Sequence, residues 1–391
     1  MEKSLVRPSF VTNFNCIGSE CEDSCCYGWN IYVDKQSYKK TMAHPELKDL
    51  AKTALKKVKK GDSSWAKAVL GEKGACGFLD NNQLCQIHAK AGESLLSHTC
   101  KTYPRMSHMK DGDRYESLSL SCPEAARKIL LQPNAFHFER MAVTHNNQFE
   151  ATPLWAQKAH DCSIQLLLNS QLEISHTLTA IGILMKTVEA VKQLKQNSSS
   201  IDAMFQQLVA LADSGELKQQ VESFNQDTDL QKKHAFTSLH LWLNTNKPVR
   251  GRLRFEQINQ AVSRIVDEEG NFSVKQLDNA WQQHAQPALE KHADLFNRYL
   301  FYYLYHTNFP LVDKLSPTEA FRVMMVDYFM LRCYLAAIAA DKQALTEHDI
   351  IMCFQVYHTS RQHKANFSKY VVVLLNKCGF DELPAILTLM A

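Results

Sequence analysis

The chain has little glycine, no strong excess of charge and no long uninterrupted apolar segment. Only 13 of its 391 residues are glycine, which disfavours folds that need many tight turns or glycine-rich phosphate loops. The 44 basic and 41 acidic residues nearly balance, so the composition gives no reason to expect a nucleic acid partner. No segment approaches the roughly 20 apolar residues that span a bilayer, and the first residues do not resemble a signal peptide. We therefore expect a globular, cytoplasmic protein that binds neither membrane nor nucleic acid.

Beyond about residue 150, apolar residues recur at intervals of three and four, the spacing of one face of an α-helix. Residues 171–196 are predicted to form one long amphipathic helix. A second helix is predicted to begin with a capping box, in which Ser316 is the N-cap, Pro317 follows it and Glu319 is the third helical residue. The sequence thus predicts a mainly α protein.

The cysteines are distributed unevenly and mark a boundary. Eight of the twelve lie within the first 122 residues, and the other four are scattered singly and are expected to pack as small apolar side chains. Residues 35–60 carry nine lysines together with apolar residues at helical spacing, which predicts a helix that stops at Gly61, and short strands are expected around it. We predict a cysteine-rich lobe at 1–130 with short strands, followed by a helical domain at 131–391.

Closely spaced cysteines begin with the segment CIGSECEDSCC at residues 16–26. Thiolates at such spacing repel one another unless a cation or cluster neutralises them, so the segment indicates a metal site. A disulfide framework requires an oxidising compartment. A zinc site would use four ligands, which His88 or His98 could complete. The irregular spacing departs from the paired CxxC motifs that are usual for zinc. It favours an iron–sulfur cluster, and the expected type is 4Fe–4S.

Eight cysteines exceed the needs of one four-ligand site, so only some of them are expected to bind metal. Adjacent cysteines point in different directions on most backbones, and only one of Cys25 and Cys26 is expected to ligate a given metal. Cys76 and Cys122 are second choices. The favoured ligands are Cys16, Cys21, Cys25 or Cys26, Cys85 and Cys100.

The same residues resemble a known family. The segments FNCIGSECEDSCCYGWNIYVDKQSY, GFLDNNQLCQIH, HTCKTYPR and LSCPEAARKILL, all within the first 131 residues, look like the signature of flagellin lysine-N-methylases. The cysteine pattern is also similar to a wider group of zinc- or iron-chelating domains. Weaker similarity appears in NRYLFYYLYHTNFP and SRQHKANF, so the whole length is consistent with one family member.

The resemblance implies transfer of a methyl group from S-adenosylmethionine to lysine side chains of flagellin, with an iron–sulfur cluster in the amino-terminal lobe. The residues themselves exclude two common alternatives. No glycine-rich fingerprint stands between a strand and a helix, as a Rossmann-like cofactor site requires. The CxxxCxxC motif of the radical enzymes that cleave this cofactor is also incomplete, because Gly28 stands where its third cysteine belongs.

Lysine must lose a proton before it can attack a methyl group, because its pKa is about 10.4. Tyr103 and Asp34 are the candidate catalytic residues, and Trp29 and Arg105 are candidates for binding the methyl donor. Each has a simpler alternative. Asp34 could cap the following helix, Trp29 and Tyr103 could pack beside the metal, and Arg105 could pair with a carboxylate or a cluster sulfide. Arg361 and His363 could face the cleft or lie on a solvated helix face.

Two further hypotheses remain at the level of sequence. In one, the chain is a non-catalytic metal-binding or interaction module with a structural zinc site, and in the other it is a redox sensor that uses the surplus cysteines. The lysines of residues 35–60 could steer an acidic protein such as flagellin, or they could form an ordinary solvated face. The oligomeric state is left open.

Overall fold

The computed structural model describes residues 3–143, 151–222, 228–247, 250–362, 364 and 366–390. It is 61% helical and 11% strand, which confirms the mainly α class with short strands near the amino terminus. The strands are β1 Lys3–Pro8, β2 Tyr32–Val33, β3 Leu55–Lys57, β4 Ala66–Ala68, β5 Arg105–Lys110, β6 Asp113–Leu118 and β7 Phe138–Val143.

The helices of the amino-terminal part are short, and those of the remainder are long. They are α1 Ser9–Thr12, α2 Lys35–Ala43, α3 Lys48–Ala54, α4 Gln86–Ala91, α5 His98–Thr102, α6 Pro123–Leu130, α7 Leu154–Leu168, α8 Ile174–Leu194, α9 Ser199–Asp213, α10 Glu216–Glu222, α11 Asp229–Asn246, α12 Arg252–Val262, α13 Val274–Ala280, α14 Gln286–Ala288, α15 Leu295–Thr307, α16 Pro317–Lys342, α17 Glu347–Arg361, α18 Phe367–Lys377 and α19 Leu383–Leu387.

A four-stranded sheet joins the first described residues to the end of the cysteine-rich region. Its strand order is β5–β6–β1–β7. β1 is parallel to β6 and antiparallel to β7, with Lys3 opposite Val143 and Pro8 opposite Phe138. β5 and β6 form a hairpin. One end of this sheet contacts helix α15, since the Tyr305 hydroxyl donates a 2.7 Å hydrogen bond to the carbonyl of Glu116.

A smaller sheet, β2–β4–β3, lies in the cysteine-rich region and has its own apolar core. The single helical stretch predicted over residues 35–60 is wrong. Helix α2 ends before Pro45, because the residue preceding a proline disfavours the helical conformation. Residues 55–57 then leave the helical path to pair with β4. Non-local strand pairing therefore overrides the local helical spacing.

The main core surrounds α16, which packs against α8, α12, α13 and α17. The capping box predicted at its start is confirmed, as is the long helix predicted over residues 171–196. Gly182 of α8 allows close packing, since a Cβ built there would stand 2.9 Å from the Phe321 ring. This core also includes Phe10 and Ile129 from the first 130 residues. The division of the chain near residue 130 stays a prediction.

One helix among the described residues, α16, is long and apolar enough to cross a membrane. Its most apolar segment is 94% buried inside the protein. Its composition is therefore explained by its position in the centre of the helical core.

Candidate metal centre and adjoining cavity

Backbone hydrogen bonds bring three of the cysteine segments together. The amide of Cys76 donates to the carbonyl of Cys26 at 2.8 Å. Cys85 is paired with Leu79 across a tight turn, and Asp80 closes that turn by accepting hydrogen bonds from two later amides. Segments that are separated by about 50 and 10 residues along the chain thus meet at one place, because their main chains pair.

The thiols at this place interact with one another. The Cys26 thiol hydrogen-bonds to Cys25, which lowers the pKa of Cys25 to about 7 and raises that of Cys26. Burial raises the pKa of Cys76 and of Cys85. Burial also raises the pKa of Cys100 to about 11, although part of that residue remains accessible to solvent. Each of these five cysteines interacts with at least one of the others, through a hydrogen bond or through its charge. We call this group the thiol cluster.

The thiol cluster contains most of the predicted ligands and one that was only a second choice. Cys25, Cys26, Cys85 and Cys100 belong to it, together with Cys76. Cys16 is exposed, and Cys21 lies at the edge, where it interacts with Cys25 and with Cys122. Within the described ranges, no three His, Cys, Asp or Glu side chains stand close enough to hold a single metal ion as they are.

Two predicted aromatic residues lie beside the thiol cluster. The indole Nε1 of Trp29 donates a hydrogen bond to the carbonyl of Cys25. Its ring meets Tyr103 edge to face, with centroids 5.2 Å apart. Burial raises the pKa of Tyr103 well above its usual value, so the phenol remains neutral at pH 7. Trp29 and Tyr103 therefore form a water-poor, electron-rich surface next to the cysteines.

The other predicted site residues have different surroundings. The Asp34 carboxylate accepts a 2.8 Å hydrogen bond from the Ser37 amide and caps α2, the simpler role that the sequence also allowed. Arg105 is exposed and stacks on Phe14 at 5.1 Å. Arg361 is buried and forms an ion pair with Asp327, and residue 363, the other candidate in that segment, lies outside the described residues.

No pattern in the sequence pointed to Arg250, which is buried against Tyr103. Its guanidinium donates to the Tyr103 hydroxyl at 2.7 Å and forms an ion pair with Asp23 at 3.2 Å. Hydrogen bonds then continue from Tyr103 to Ser121 at 3.1 Å, from Ser121 to Ser119 at 2.7 Å, and from Ser119 to the Gln362 amide oxygen at 2.7 Å. No local pattern predicts this chain of contacts, because its members come from widely separated segments of the sequence.

The chain of hydrogen bonds ends at a cavity of about 330 Å³. The cavity lies where the β5–β6 hairpin meets the ends of α15 and α17 and the start of α18. Its walls combine apolar and charged side chains: Met106, Ser119, His306, Thr307, Leu311, Val312, Asp313, Arg361, Gln362, Lys364 and Ser368. A concave site with mixed walls, between the cysteine-rich region and the helices, is suited to an organic ligand.

Comparison with known proteins gives two family matches that together cover most of the chain. Residues 160–389 match the FliB lysine N-methylase C-terminal domain, and residues 15–123 match a family described as "Putative zinc- or iron-chelating domain". The second match contains every member of the thiol cluster. No solved structure matches the chain.

Individual relatives extend over nearly the whole length. The chain is 27% identical to the lysine-N-methylase of Salmonella choleraesuis and 26% identical to that of Salmonella typhimurium, over 94% of each chain in both cases. It is 39% identical to the flagellar biosynthetic protein FliU of Salmonella muenchen, over 34% of this chain and 81% of that protein. The matched domain spans more than half of the sequence, and the chain belongs to the FliB lysine N-methylase family of lysine-methylating enzymes.

Proposed function

We propose that this enzyme transfers the methyl group of S-adenosylmethionine to lysine side chains of flagellin in the cytoplasm, with an iron–sulfur cluster in its amino-terminal lobe. The observation that carries the proposal is the convergence of five cysteines beside Trp29 and Tyr103 in a chain of this family. The names of the relatives support lysine as the acceptor and a flagellar protein as the substrate.

The residues of the thiol cluster fit an iron–sulfur cluster better than a single zinc ion. Zinc draws four thiolates to about 2.3 Å from one centre, and hence to within about 4 Å of one another. Within the described ranges no three of these side chains are grouped so as to hold one ion, whereas an iron–sulfur cluster places several atoms between its ligands. We propose Cys26, Cys76, Cys85 and Cys100 as the ligands, with Cys25 as the alternative to its neighbour.

A bound cluster would supply a rigid link among the loops of the lobe. The backbone of Cys25 holds Trp29 through a hydrogen bond, and Trp29 packs on Tyr103. Fixing the cysteines would therefore fix this aromatic surface. Precise placement of reacting groups is a large part of the catalysis available to a methyl transfer, since amine and methyl must be aligned.

The aromatic surface suits the acceptor lysine. An amine beside Trp29 and Tyr103 is partly removed from water, which lowers its pKa and favours the neutral, nucleophilic form. Tyr103 is neutral, so we assign it the role of a relay in one concerted step: its oxygen takes the ammonium proton while its own proton moves to Ser121, then through Ser119 to solvent in the adjoining cavity. The contacts of Asp34 and Arg105 explain those residues structurally, and the proposal assigns them no step.

The lysines of residues 35–60 provide a basic surface on the same lobe, since eight of the nine are exposed. Such a surface accelerates encounter with an acidic protein more than it increases affinity. We propose it as the first contact of flagellin, with the acceptor lysine then reaching the aromatic surface.

Mass spectrometry of flagellin tests the proposal. Flagellin incubated with the metal-loaded enzyme and S-adenosylmethionine should gain the mass of one or more methyl groups on lysine residues. Enzyme without donor is the control for methyl groups already present. Unmodified flagellin, from an enzyme preparation that is folded and metal-loaded, would refute the proposed activity.

A further inference from the structure

The cavity at the end of the hydrogen-bond chain has the size of a small-molecule site. Ligand cavities in proteins begin at about 300 Å³, and this one measures about 330 Å³. Its floor is formed by buried Ser119, Val312 and Ser368, and its mouth by exposed Met106 and Leu311. Asp313 is exposed and Lys364 half-buried, so a ligand would meet its charged partners on the solvent side of the cavity.

Two opposite charges line this cavity without pairing. Asp313 and Lys364 both face it, and within the described part of the chain neither forms an ion pair with the other or with a third side chain. The Asp313 carboxylate accepts a 2.6 Å hydrogen bond from Ser368, which fixes its position. Unpaired charges of both signs across one cavity are suited to a ligand that carries both signs itself.

The neighbouring polar groups are held in place by the fold. The Gln362 amide oxygen accepts a hydrogen bond from Ser119, so the orientation of the amide is set. The amide NH₂ group has two donors that can meet a ligand, since Gln362 lies in the cavity wall. The charge of Arg361 is already balanced by Asp327 at 2.9 Å. Lys364 is therefore the cation that is available to an anionic group.

We infer that this cavity binds the amino-acid end of the methyl donor, with Asp313 accepting from the α-ammonium group and Lys364 and Gln362 donating to the α-carboxylate. The inference rests on the proposed function and adds a location for the donor. The apolar side chains Met106, Leu311 and Val312 are left to contact the rest of the methyl donor.

The same charges argue against the acceptor lysine as the occupant. An ammonium group in this cavity would meet Asp313 but would also lie near Lys364, and repulsion between like charges disfavours that arrangement. A zwitterion satisfies both signs together.

Calorimetry with two donor analogues tests the inference on the intact, metal-loaded enzyme. S-adenosylhomocysteine keeps the amino-acid end, and 5′-methylthioadenosine lacks it. Asp313→Asn and Lys364→Met should each weaken S-adenosylhomocysteine binding about ten- to a hundredfold, the effect of losing one charge-assisted hydrogen bond. Both should leave 5′-methylthioadenosine binding unchanged. Asp381→Asn, at an exposed position outside the cavity, is the matched control.

The outcomes separate this inference from the proposed function. Wild-type affinity for S-adenosylhomocysteine in both folded variants would place the donor elsewhere and overturn the inference alone. Equal weakening of both analogues, or free methionine binding as tightly as S-adenosylhomocysteine, would also overturn it. If the wild-type enzyme binds neither S-adenosylhomocysteine nor S-adenosylmethionine, the proposed function itself is refuted. Unchanged circular dichroism spectra establish that the variants are folded.

Discussion

The Arg250 guanidinium donates a 2.7 Å hydrogen bond to the hydroxyl of Tyr103, a residue 147 positions earlier in the chain. The same guanidinium lies over the Tyr103 ring at 5.3 Å and donates to the carbonyl of Ser121 at 2.8 Å. It also pairs with Asp23, which stands between Cys21 and Cys25 in the sequence. One buried cation therefore ties the loop of the first cysteines and the aromatic surface to the helical part of the protein.

Tyr103→Phe should destabilise the protein by about 1–3 kcal/mol, because the buried guanidinium of Arg250 loses a hydrogen-bond acceptor. Methylation of flagellin should fall at least about tenfold, since the relay from the acceptor to Ser121 is broken. Urea unfolding measures the first effect, and initial rates at saturating donor measure the second.

Tyr32→Phe is the matched control, because Tyr32 lies in the same region with its side chain exposed. It should change neither quantity. A Tyr103→Phe enzyme that is destabilised but fully active would show that Tyr103 holds Arg250 in place without taking part in proton transfer.

The helix start at Ser316 and the long helix of residues 174–194 could be predicted because their signals are local. A capping box involves residues three apart, and an amphipathic face repeats every three or four residues. The break within residues 35–60 depends on pairing with β4, which contributes no signal to the segment itself. Local spacing alone therefore predicted a helix where the tertiary structure has a strand.

The sequence predicts which kinds of residue form the candidate site, but not which individual residues belong to it. Cysteine spacing indicated a metal centre near the amino terminus, yet Cys76 joins the thiol cluster through a backbone hydrogen bond to Cys26 that no spacing reveals. Arg250 and Gln362 lie more than 100 residues from their partners, and nothing in their own segments indicates which residues those partners are. Their positions follow from packing, and only the folded chain brings them to the site.

Glu189 of α8 caps a helix other than its own. Its carboxylate accepts hydrogen bonds from the Thr318 amide and the Ser316 hydroxyl, each at 3.0 Å, at the start of α16. Burial opposes ionisation, but these hydrogen bonds outweigh it and lower the pKa of Glu189. A lowered carboxyl pKa stabilises the folded state above the unfolded value of about 4.5, and the contribution is lost as the pH falls through the folded value.

Glu189→Gln should therefore lower the free energy of unfolding by about 1 kcal/mol at pH 7, a value kept small by partial exposure to solvent. The difference from wild type should shrink as the pH falls below about 4.5 and through the lower pKa of the folded state, where the Glu189 carboxyl becomes protonated. Urea unfolding across this pH range measures it, with exposed Glu139→Gln as the control. A difference that persists at low pH would mean that the shape of the Glu189 side chain, and not its charge, accounts for the stabilisation.

Four histidines are held in the neutral form. Burial lowers the pKa of His108, His160 and His240 to about 4 and that of His306 to about 3. The unfolded chain binds more protons below its histidine pKa of about 6.5. The free energy of unfolding therefore has its full value above that pH. It declines as the pH falls, by up to about 2 kcal/mol per histidine at pH 5.

Unfolding free energies measured between pH 7 and pH 5 should decrease accordingly. His160→Gln should reduce the slope of the unfolding free energy against pH by the contribution of one histidine. The reason is that His160 is almost fully buried against the carbonyl of Phe309. His137→Gln, at an exposed position, should leave the slope unchanged. A stability that does not vary over this range would contradict the neutral state of these residues.

Iron and acid-labile sulfide per chain, measured after purification without oxygen, test the central claim that the thiol cluster holds an iron–sulfur cluster. Wild-type protein should contain both, and Cys76→Ser, Cys85→Ser and Cys100→Ser should each lose most of them. Cys16→Ser and Cys378→Ser should retain wild-type amounts. Stoichiometric zinc without sulfide, or wild-type iron in the Cys76→Ser protein, would contradict the account.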